Sequence, residues 1–165
     1  MTTAIAPVPQ PAASTDRPTP LRAPTEHALV CRLADQFGAD WITPDTLAAF
    51  TVRGGDQVLF FSGDPVRFPE GLDVAVVLPE LQKAFPGRFS VGVVRREGED
   101  EVARRYGAQR WPSLVFLRDG QYVATVAGML DWTDYVEQVG RALATPASRP
   151  PIALVSGHGA ASGCH

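Results

Sequence analysis

Hydrophobic and polar positions repeat with a helical period over several parts of the chain. Apolar residues recur every three to four positions in residues 29–37, which predicts an amphipathic helix that ends at Gly38. The same period marks three more helices, over residues 73–85, 101–106 and 131–144. In the last of these, the spacing places Trp132 on the inner face. Thr43 and Pro44 predict the N-cap and first position of a further helix up to residue 50.

Four short apolar runs are bounded by glycine, proline and polar turn residues, which is the pattern of buried β-strands. They cover residues 57–61, 89–94, 113–117 and 122–126. Asp119-Gly120 between the last two runs predicts a tight hairpin, so these two strands are expected to be antiparallel. Trp41-Ile42 predicts one additional short strand.

The order of these elements predicts an α/β fold, in which a mixed sheet is covered by helices on both faces. The domain is expected to span residues 25–144. Residues 1–24 contain six prolines among Ala, Thr and Ser, and this composition buries too little apolar surface to offset the entropy lost on ordering. We therefore expect a disordered tail there, and a flexible C-terminal tail over the Pro-, Gly- and Ala-rich residues 145–165.

The charge balance and hydrophobicity of the chain exclude some classes of binding partner. The 165 residues include 15 basic and 18 acidic side chains, a formal net charge of −3, so no basic footprint for nucleic acid is present. Neither a basic and apolar leader nor an apolar run long enough for a membrane span occurs, which predicts a cytoplasmic protein without membrane insertion. The two cysteines are far apart in the chain, and no disulfide is expected.

Two local motifs resemble the thioredoxin family. Trp111-Pro112-Ser113 stands directly before a predicted strand, where that family places a cis-proline. Residues 116–120, followed after the next strand by Ala127-Gly128, are similar to the hairpin and closing glycine of the family. The resemblance extends over residues 39–143, and it implies a thioredoxin-like sheet preceded by an extra N-terminal helix.

The catalytic thiols of a thioredoxin have no counterpart in the corresponding segment. A thioredoxin enzyme carries Cys-x-x-Cys where the helix after the central strand begins, because the helix N-terminus lowers the pKa of the nucleophilic thiol. Here that segment is Phe68-Pro69-Glu70-Gly71. No mixed disulfide can form there by the mechanism of the family, so the resemblance implies a protein that is not an enzyme.

A more specific resemblance is to the HyaE/HoxO/HupG family of [NiFe]-hydrogenase maturation proteins, which are thioredoxin-like and lack the thiol pair. Residues 63–70, 73–81 and 106–120, with Trp132 beyond them, carry the likeness. It implies a non-catalytic chaperone without a cofactor. The implied partner is the hydrogenase small-subunit precursor, bound through its twin-arginine signal peptide, and a second maturation accessory protein is a further expected partner.

A thioredoxin-like scaffold keeps a groove for an extended peptide beside its cis-proline. We expect the backbone around Pro112 to pair with a strand-like ligand, and Trp111 to supply part of the apolar surface. Glu70 and Glu80 are expected to bind arginine side chains of the partner through paired hydrogen bonds. The complete set of expected partner-binding residues is Phe68, Pro69, Glu70, Glu80, Trp111, Pro112, Gly128 and Met129.

One alternative function uses the leading helix. His27, Cys31 and Asp35 recur every four residues, so their side chains can share one helix face as a metal or nucleophile constellation does. A partly solvated helix face with one small buried thiol accounts for the same spacing. The alternative that remains is a thiol-dependent redox protein that uses Cys31.

The other alternative is a nickel carrier that acts through the C-terminal tail. His158, Cys164 and His165 provide imidazole and thiolate ligands that suit nickel or zinc. A flexible glycine-rich tail offers these groups no preorganised geometry, so incidental chelation explains them equally.

Overall fold

The computed structural model describes residues 26–151. The predicted tail of residues 1–24, and residues 152–165 of the predicted C-terminal tail, lie outside the described residues. The elements in chain order are α1 (Ala28–Phe37), β1 (Asp40–Ile42), α2 (Leu47–Thr51), β2 (Asp56–Phe61), α3 (Glu70–Ala84), β3 (Ser90–Val94), α4 (Glu99–Tyr106), β4 (Ser113–Arg118), β5 (Gln121–Ala127) and α5 (Trp132–Ala144). A short 3-10 turn, Arg96–Gly98, precedes α4.

The five strands form one mixed sheet in the order β1-β3-β2-β4-β5. Strand β3 is parallel to both β1 and β2, whereas β4 is antiparallel to β2 and β5. The fold is therefore thioredoxin-like, with α1 as the extra N-terminal helix. The predicted α/β class, the central position of β2 and the antiparallel hairpin are all confirmed.

Both faces of β2 are buried, which explains its continuous apolar sequence. Val58 and Phe60 belong to a hydrophobic cluster with α1, α3 and α5, whereas Leu59 and Phe61 belong to a second cluster with α2 and α4. All four side chains have no measurable exposure. Burial of each contributes about 1.5–3 kcal/mol, so this strand fixes the two helical layers on opposite sides of the sheet.

The hairpin between β4 and β5 has the geometry that its sequence predicts. Asp119 and Gly120 have φ angles of 50° and 76°, the left-handed pair that a two-residue hairpin turn needs. The carboxylate of Asp119 also accepts a hydrogen bond of 2.8 Å from the N–H of Gly55, just before β2. The turn is thus attached to the beginning of the central strand.

Helices α2, α3 and α4 begin at other residues than the sequence predicts; α4 begins at Glu99, two residues before the predicted 101. Helix α2 begins at Leu47, four residues after the predicted cap Thr43. The hydroxyl of Thr43 accepts from the N–H of Thr46 (3.2 Å) and the hydroxyl of Thr46 accepts from the N–H of Thr43 (2.8 Å). This reciprocal pair resembles a capping box and holds residues 43–46 in a turn directly before the helix, where the carbonyl of Thr43 accepts from the N–H of Leu47 at 3.0 Å. Helix α3 begins at Glu70, three residues before the predicted beginning at 73.

The prediction that Trp132 faces the core is wrong, since 48% of this residue is exposed. Tyr135 and Val139, which share its helical stripe on α5, are buried as predicted. Helical spacing sets the direction in which a side chain leaves the helix, but not whether another element covers it.

The first residues of the C-terminal segment follow the surface of the domain. The guanidinium of Arg118 in β4 donates to the carbonyls of Leu143 and Thr145, at 2.7 Å and 2.8 Å, and to the carboxylate of Asp56 at 2.7 Å. The N–H of Ser148 donates to the carbonyl of Tyr122 in β5 at 2.6 Å. One charged side chain therefore joins the end of α5 to the beginning of β2.

Two helical glycines make a matched test of packing at the beginning of α3. A Cβ on Gly71 would lie 2.2 Å from the carbonyl oxygen of Ser62, whereas a Cβ on Gly140 in α5 would meet Phe85 at an ordinary 3.7 Å. We predict that Gly71→Ala lowers the free energy of unfolding by about 1–3 kcal/mol because backbone must shift. Gly140→Ala should raise it by about 0.5–1 kcal/mol through helix propensity. Urea unfolding measures both, and equal effects would contradict the predicted close contact.

Candidate functional site

Three chain segments meet at one edge of the sheet, where the end of β2 lies beside the beginning of β4 and the end of β5. In the sheet register Phe61 pairs with Ser113, and Ser113 pairs with Ala127. The peptide bond between Trp111 and Pro112, just before β4, is cis, as the resemblance implies. The carbonyl of Pro112 accepts a 2.7 Å hydrogen bond from the N–H of Gly128. We call the surface formed by residues 62–70, 110–112 and 128–130 the groove.

Trp111 presents unpaired backbone in this groove. Neither its N–H nor its C=O has a hydrogen-bond partner among residues 26–151, because the ladder of β4 begins only at Ser113. Its ring stacks on Phe68 with a centroid distance of 6.0 Å and an interplanar angle of 28°. An extended chain that pairs with this backbone would lie against the aromatic pair.

Gly63 allows the close packing behind the aromatic pair. It has a φ of 71°, and a Cβ here would lie 2.7 Å from the ring of Phe68 and 3.0 Å from the side chain of Trp111. Any other residue would therefore push the two rings apart. The sequence singles out Phe68 and Trp111, but not the glycine on which their contact depends.

Apolar side chains are exposed beside the groove. Val66 is 89% exposed and Met129 is 41% exposed, while Phe68 and Trp111 are partly buried. The loop that carries Met129 is held by Tyr135, whose hydroxyl donates to the carbonyl of Gly128 at 2.7 Å. Burial raises the pKa of Tyr135 to about 12, so this hydroxyl keeps its proton at neutral pH. Exposed apolar groups on a fixed loop are typical of protein-binding surfaces.

The structure brings together seven of the eight expected partner-binding residues. Pro69 and Glu70 are exposed where α3 begins, next to Phe68. Glu80 lies ten residues further along α3, about 15 Å at the rise of an α-helix. It already makes a 2.7 Å ion pair with Lys83. Glu80 is therefore separate from the groove, which ends at Glu70.

Glu99 is a residue of the site that sequence reasoning missed. It is only 6% exposed, and its carboxyl oxygen accepts a 3.0 Å hydrogen bond from the N–H of Gly63. Burial, with a smaller effect of the nearby Glu26, raises the pKa of Glu99 to about 7. The spacing of Glu99, Val102 and Tyr106 is the signal that was available, since it places this acid on the inner stripe of α4.

A chain of polar contacts joins the groove loop to the beginning of α1. The carboxylate of Asp64 accepts from the N–H of Val66 at 2.8 Å and binds the guanidinium of Arg96 at 2.7 Å. These contacts, the backbone one foremost, hold the pKa of Asp64 below its usual value. The N–H of Arg96 donates to the buried carboxylate of Glu26 at 2.9 Å. The loop after β2 is thus fixed from both sides.

The leading helix places its thiol where the thiolate is disfavoured. His27 caps α1, with its Nδ1 accepting from the N–H of Leu29 at 3.2 Å. Burial, followed by the charges of Asp35 and Glu26, raises the pKa of the Cys31 thiol, so little thiolate is present at neutral pH. Among residues 26–151 no three His, Cys, Asp or Glu side chains are grouped to hold a metal ion. His158, Cys164 and His165 lie outside the described residues.

Comparison with known proteins identifies the family. The family model of the hydrogenase-1 expression protein HyaE matches residues 29–135. The chain belongs to the HyaE family. The match covers the sheet and every groove residue. Within residues 26–151 this HyaE family member has no helix long and apolar enough to cross a membrane.

Individual relatives carry related names. The hydrogenase expression/formation protein HoxO of Cupriavidus necator is 55% identical over 138 residues, 81% of this chain and 86% of that protein. HoxO of Azotobacter vinelandii is 42% identical over 72% of this chain and 79% of its own. A crystal structure of a hupG protein from Rhodopseudomonas palustris is 40% identical and covers 64% of this chain and 95% of its own, with a TM-score of 0.47.

The buried acid of the groove predicts a pH dependence of stability. Folding raises the pKa of Glu99 from 4.5 to about 7, so the folded state binds its proton more tightly than the unfolded state. This contribution to stability is complete below pH 4.5 and is lost as the pH rises to about 7 and above. Its full size corresponds to about 3 kcal/mol.

We therefore predict that Glu99→Gln removes this component. Relative to the wild type, the variant should gain about 3 kcal/mol in free energy of unfolding between pH 4.5 and pH 8. Urea unfolding over this pH range measures the difference, with Glu137→Gln on the exposed side of α5 as control. Parallel pH profiles for the wild type and Glu99→Gln would contradict the assignment.

Proposed function

We propose that this chain is a non-catalytic chaperone of [NiFe]-hydrogenase maturation. It binds the hydrogenase small-subunit precursor in the groove and takes the twin-arginine signal peptide as the bound segment, in the cytoplasm before export. Membership of the HyaE family supports the role in hydrogenase maturation. The observation that carries the binding mode is the unpaired backbone of Trp111 beside exposed apolar side chains.

The proposed binding mode follows from the free backbone groups at this end of the sheet. An extended peptide satisfies the free N–H and C=O of Trp111 by main-chain hydrogen bonds, which are indifferent to sequence. Selectivity then comes from the peptide side chains that contact Phe68, Val66 and Met129, because these apolar surfaces bind apolar side chains more favourably than polar ones. Aromatic rings bury large areas, so the pair Phe68 and Trp111 supplies most of the affinity. Glu70, exposed beside them, attracts a basic flanking residue.

Two observations support a role without catalysis. The segment where a thioredoxin enzyme keeps its thiols holds Phe68, Pro69, Glu70 and Gly71. The described thiol, Cys31, has a raised pKa and lies on α1, which packs against α3 and β3. A peptide in the groove therefore meets aromatic and acidic groups and remains chemically unchanged.

The groove predicts a specific loss of binding on substitution. Met129→Glu places a charge among the apolar contacts, so we expect the affinity for the small-subunit precursor to fall at least about tenfold. Val52→Glu is the control, because Val52 is 82% exposed at the end of α2, outside the groove. Surface plasmon resonance with immobilised precursor, with and without its signal peptide, measures both. Equal binding by the two variants, or binding that survives removal of the signal peptide, would contradict the proposal.

The alternative of a thiol-dependent redox protein makes the opposite prediction in a turnover assay. Because burial and acidic neighbours suppress its thiolate, Cys31 should not reduce disulfides at neutral pH. We expect the wild type and Cys31→Ser to show the same background rate of insulin reduction with dithiothreitol. Turnover by the wild type that Cys31→Ser abolishes would establish thiol chemistry in place of a purely binding role.

A further inference from the structure

A cleft of about 250 Å³ opens next to the aromatic pair of the groove. Phe68 and Trp111 line it together with Glu99 and Asp100 at the beginning of α4. Gly63, Phe68 and Trp111 belong to both the groove and the cleft. A side chain that leaves a peptide bound along Trp111 can therefore enter the cleft.

The fixed charges of the cleft leave two carboxyl groups without a cation. Asp64 and Arg96 neutralise each other at 2.7 Å. Within the described part of the chain, neither Glu99 nor Asp100 has an ion-pair partner. Arg67 is the remaining cation of the lining, and its guanidinium lies over the Phe68 ring at 5.5 Å. This contact shows that the aromatic wall accepts a guanidinium group.

Two buried polar groups in the cleft wall are incompletely satisfied. The described contacts give Glu99 one hydrogen bond, the one from Gly63. The indole N–H of Trp111 is buried and has no acceptor in hydrogen-bond geometry among residues 26–151, although it lies near enough to Glu99 to favour the ionised carboxylate. A bound peptide can supply a cation to Glu99, and this would stabilise the ionised carboxylate that the indole also favours.

We propose that this cleft binds an arginine side chain of the partner peptide, and that Glu99 gives up its proton to solvent as the guanidinium enters. The carboxylic acid becomes a carboxylate paired with the incoming cation, and the released proton is taken up by the buffer. This inference rests on the proposed function, because the arginine must arrive on a peptide that occupies the groove. It assigns the arginine to Glu99 and Asp100, which the sequence did not single out.

The surroundings of Glu99 allow this exchange near neutral pH. Burial and Glu26 oppose its ionisation, whereas the N–H of Gly63, the indole of Trp111 and the charge of Arg96 favour it, and the pKa is about 7. Asp100 and Arg67 line the same cleft. When only the ionised form binds the cation, affinity follows the ionised fraction. The affinity for an arginine peptide should then rise about tenfold between pH 6 and pH 8.

The test is isothermal titration calorimetry of the full chain with a synthetic twin-arginine signal peptide. A matched peptide carries citrulline, an uncharged isostere, at both arginine positions. Titrations at pH 7 in phosphate and in Tris, buffers of different ionisation enthalpy, count the protons released. Glu99→Gln preserves the size of the side chain, and Glu137→Gln on α5 is the control.

We expect the arginine peptide to release about half a proton per site from the wild type and from Glu137→Gln, and none from Glu99→Gln. The citrulline peptide should bind several-fold more weakly without proton release. Equal affinity for the two peptides, or unchanged proton release from Glu99→Gln, would overturn the arginine cleft while leaving the groove intact. Failure of both peptides to bind would overturn the proposed function, and the cleft with it.

Discussion

The two-sided burial of β2 is the constraint on which the rest of the structure depends. Because Val58 and Phe60 face one helical layer and Leu59 and Phe61 the other, the strand cannot slip by one residue without exchanging the two cores. Its end is therefore fixed in position, and the loop that follows it presents Gly63 and Phe68 to the beginning of β4. The groove is a consequence of where this strand stops.

Most of the fold could be predicted from the sequence because its signals are local. Helical spacing, the Asp119-Gly120 turn and the apolar run of β2 each act within a few residues. The regular part of α2 begins later than predicted, because the threonine pair at 43 and 46 closes a separate turn before Leu47. The exposure of Trp132 depends on whether another element packs over it, and the helical spacing of apolar residues carries no information on that.

The groove residues that belong to family motifs could be predicted from the sequence. The residues that depend on contacts between distant parts of the chain could not. The motif Trp111-Pro112 predicts the position of the groove. Phe68 could be predicted because it lies in the segment that takes the place of the thiol pair of a thioredoxin enzyme. The contact between Gly63 and Glu99 joins residues 36 positions apart, and no local pattern encodes such a pair. An acid surrounded by other charges, as Glu99 is in residues 95–105, also looks solvated until the fold buries it.

The hydrogen bond from Tyr135 to Gly128 makes the far wall of the groove part of the last helix. The loop that bears Met129 cannot move independently of α5, because the same tyrosine is anchored in the hydrophobic cluster beneath the sheet. A displacement of α5 would therefore carry the side chain of Met129 with it, so the shape of the groove depends on the position of the last helix.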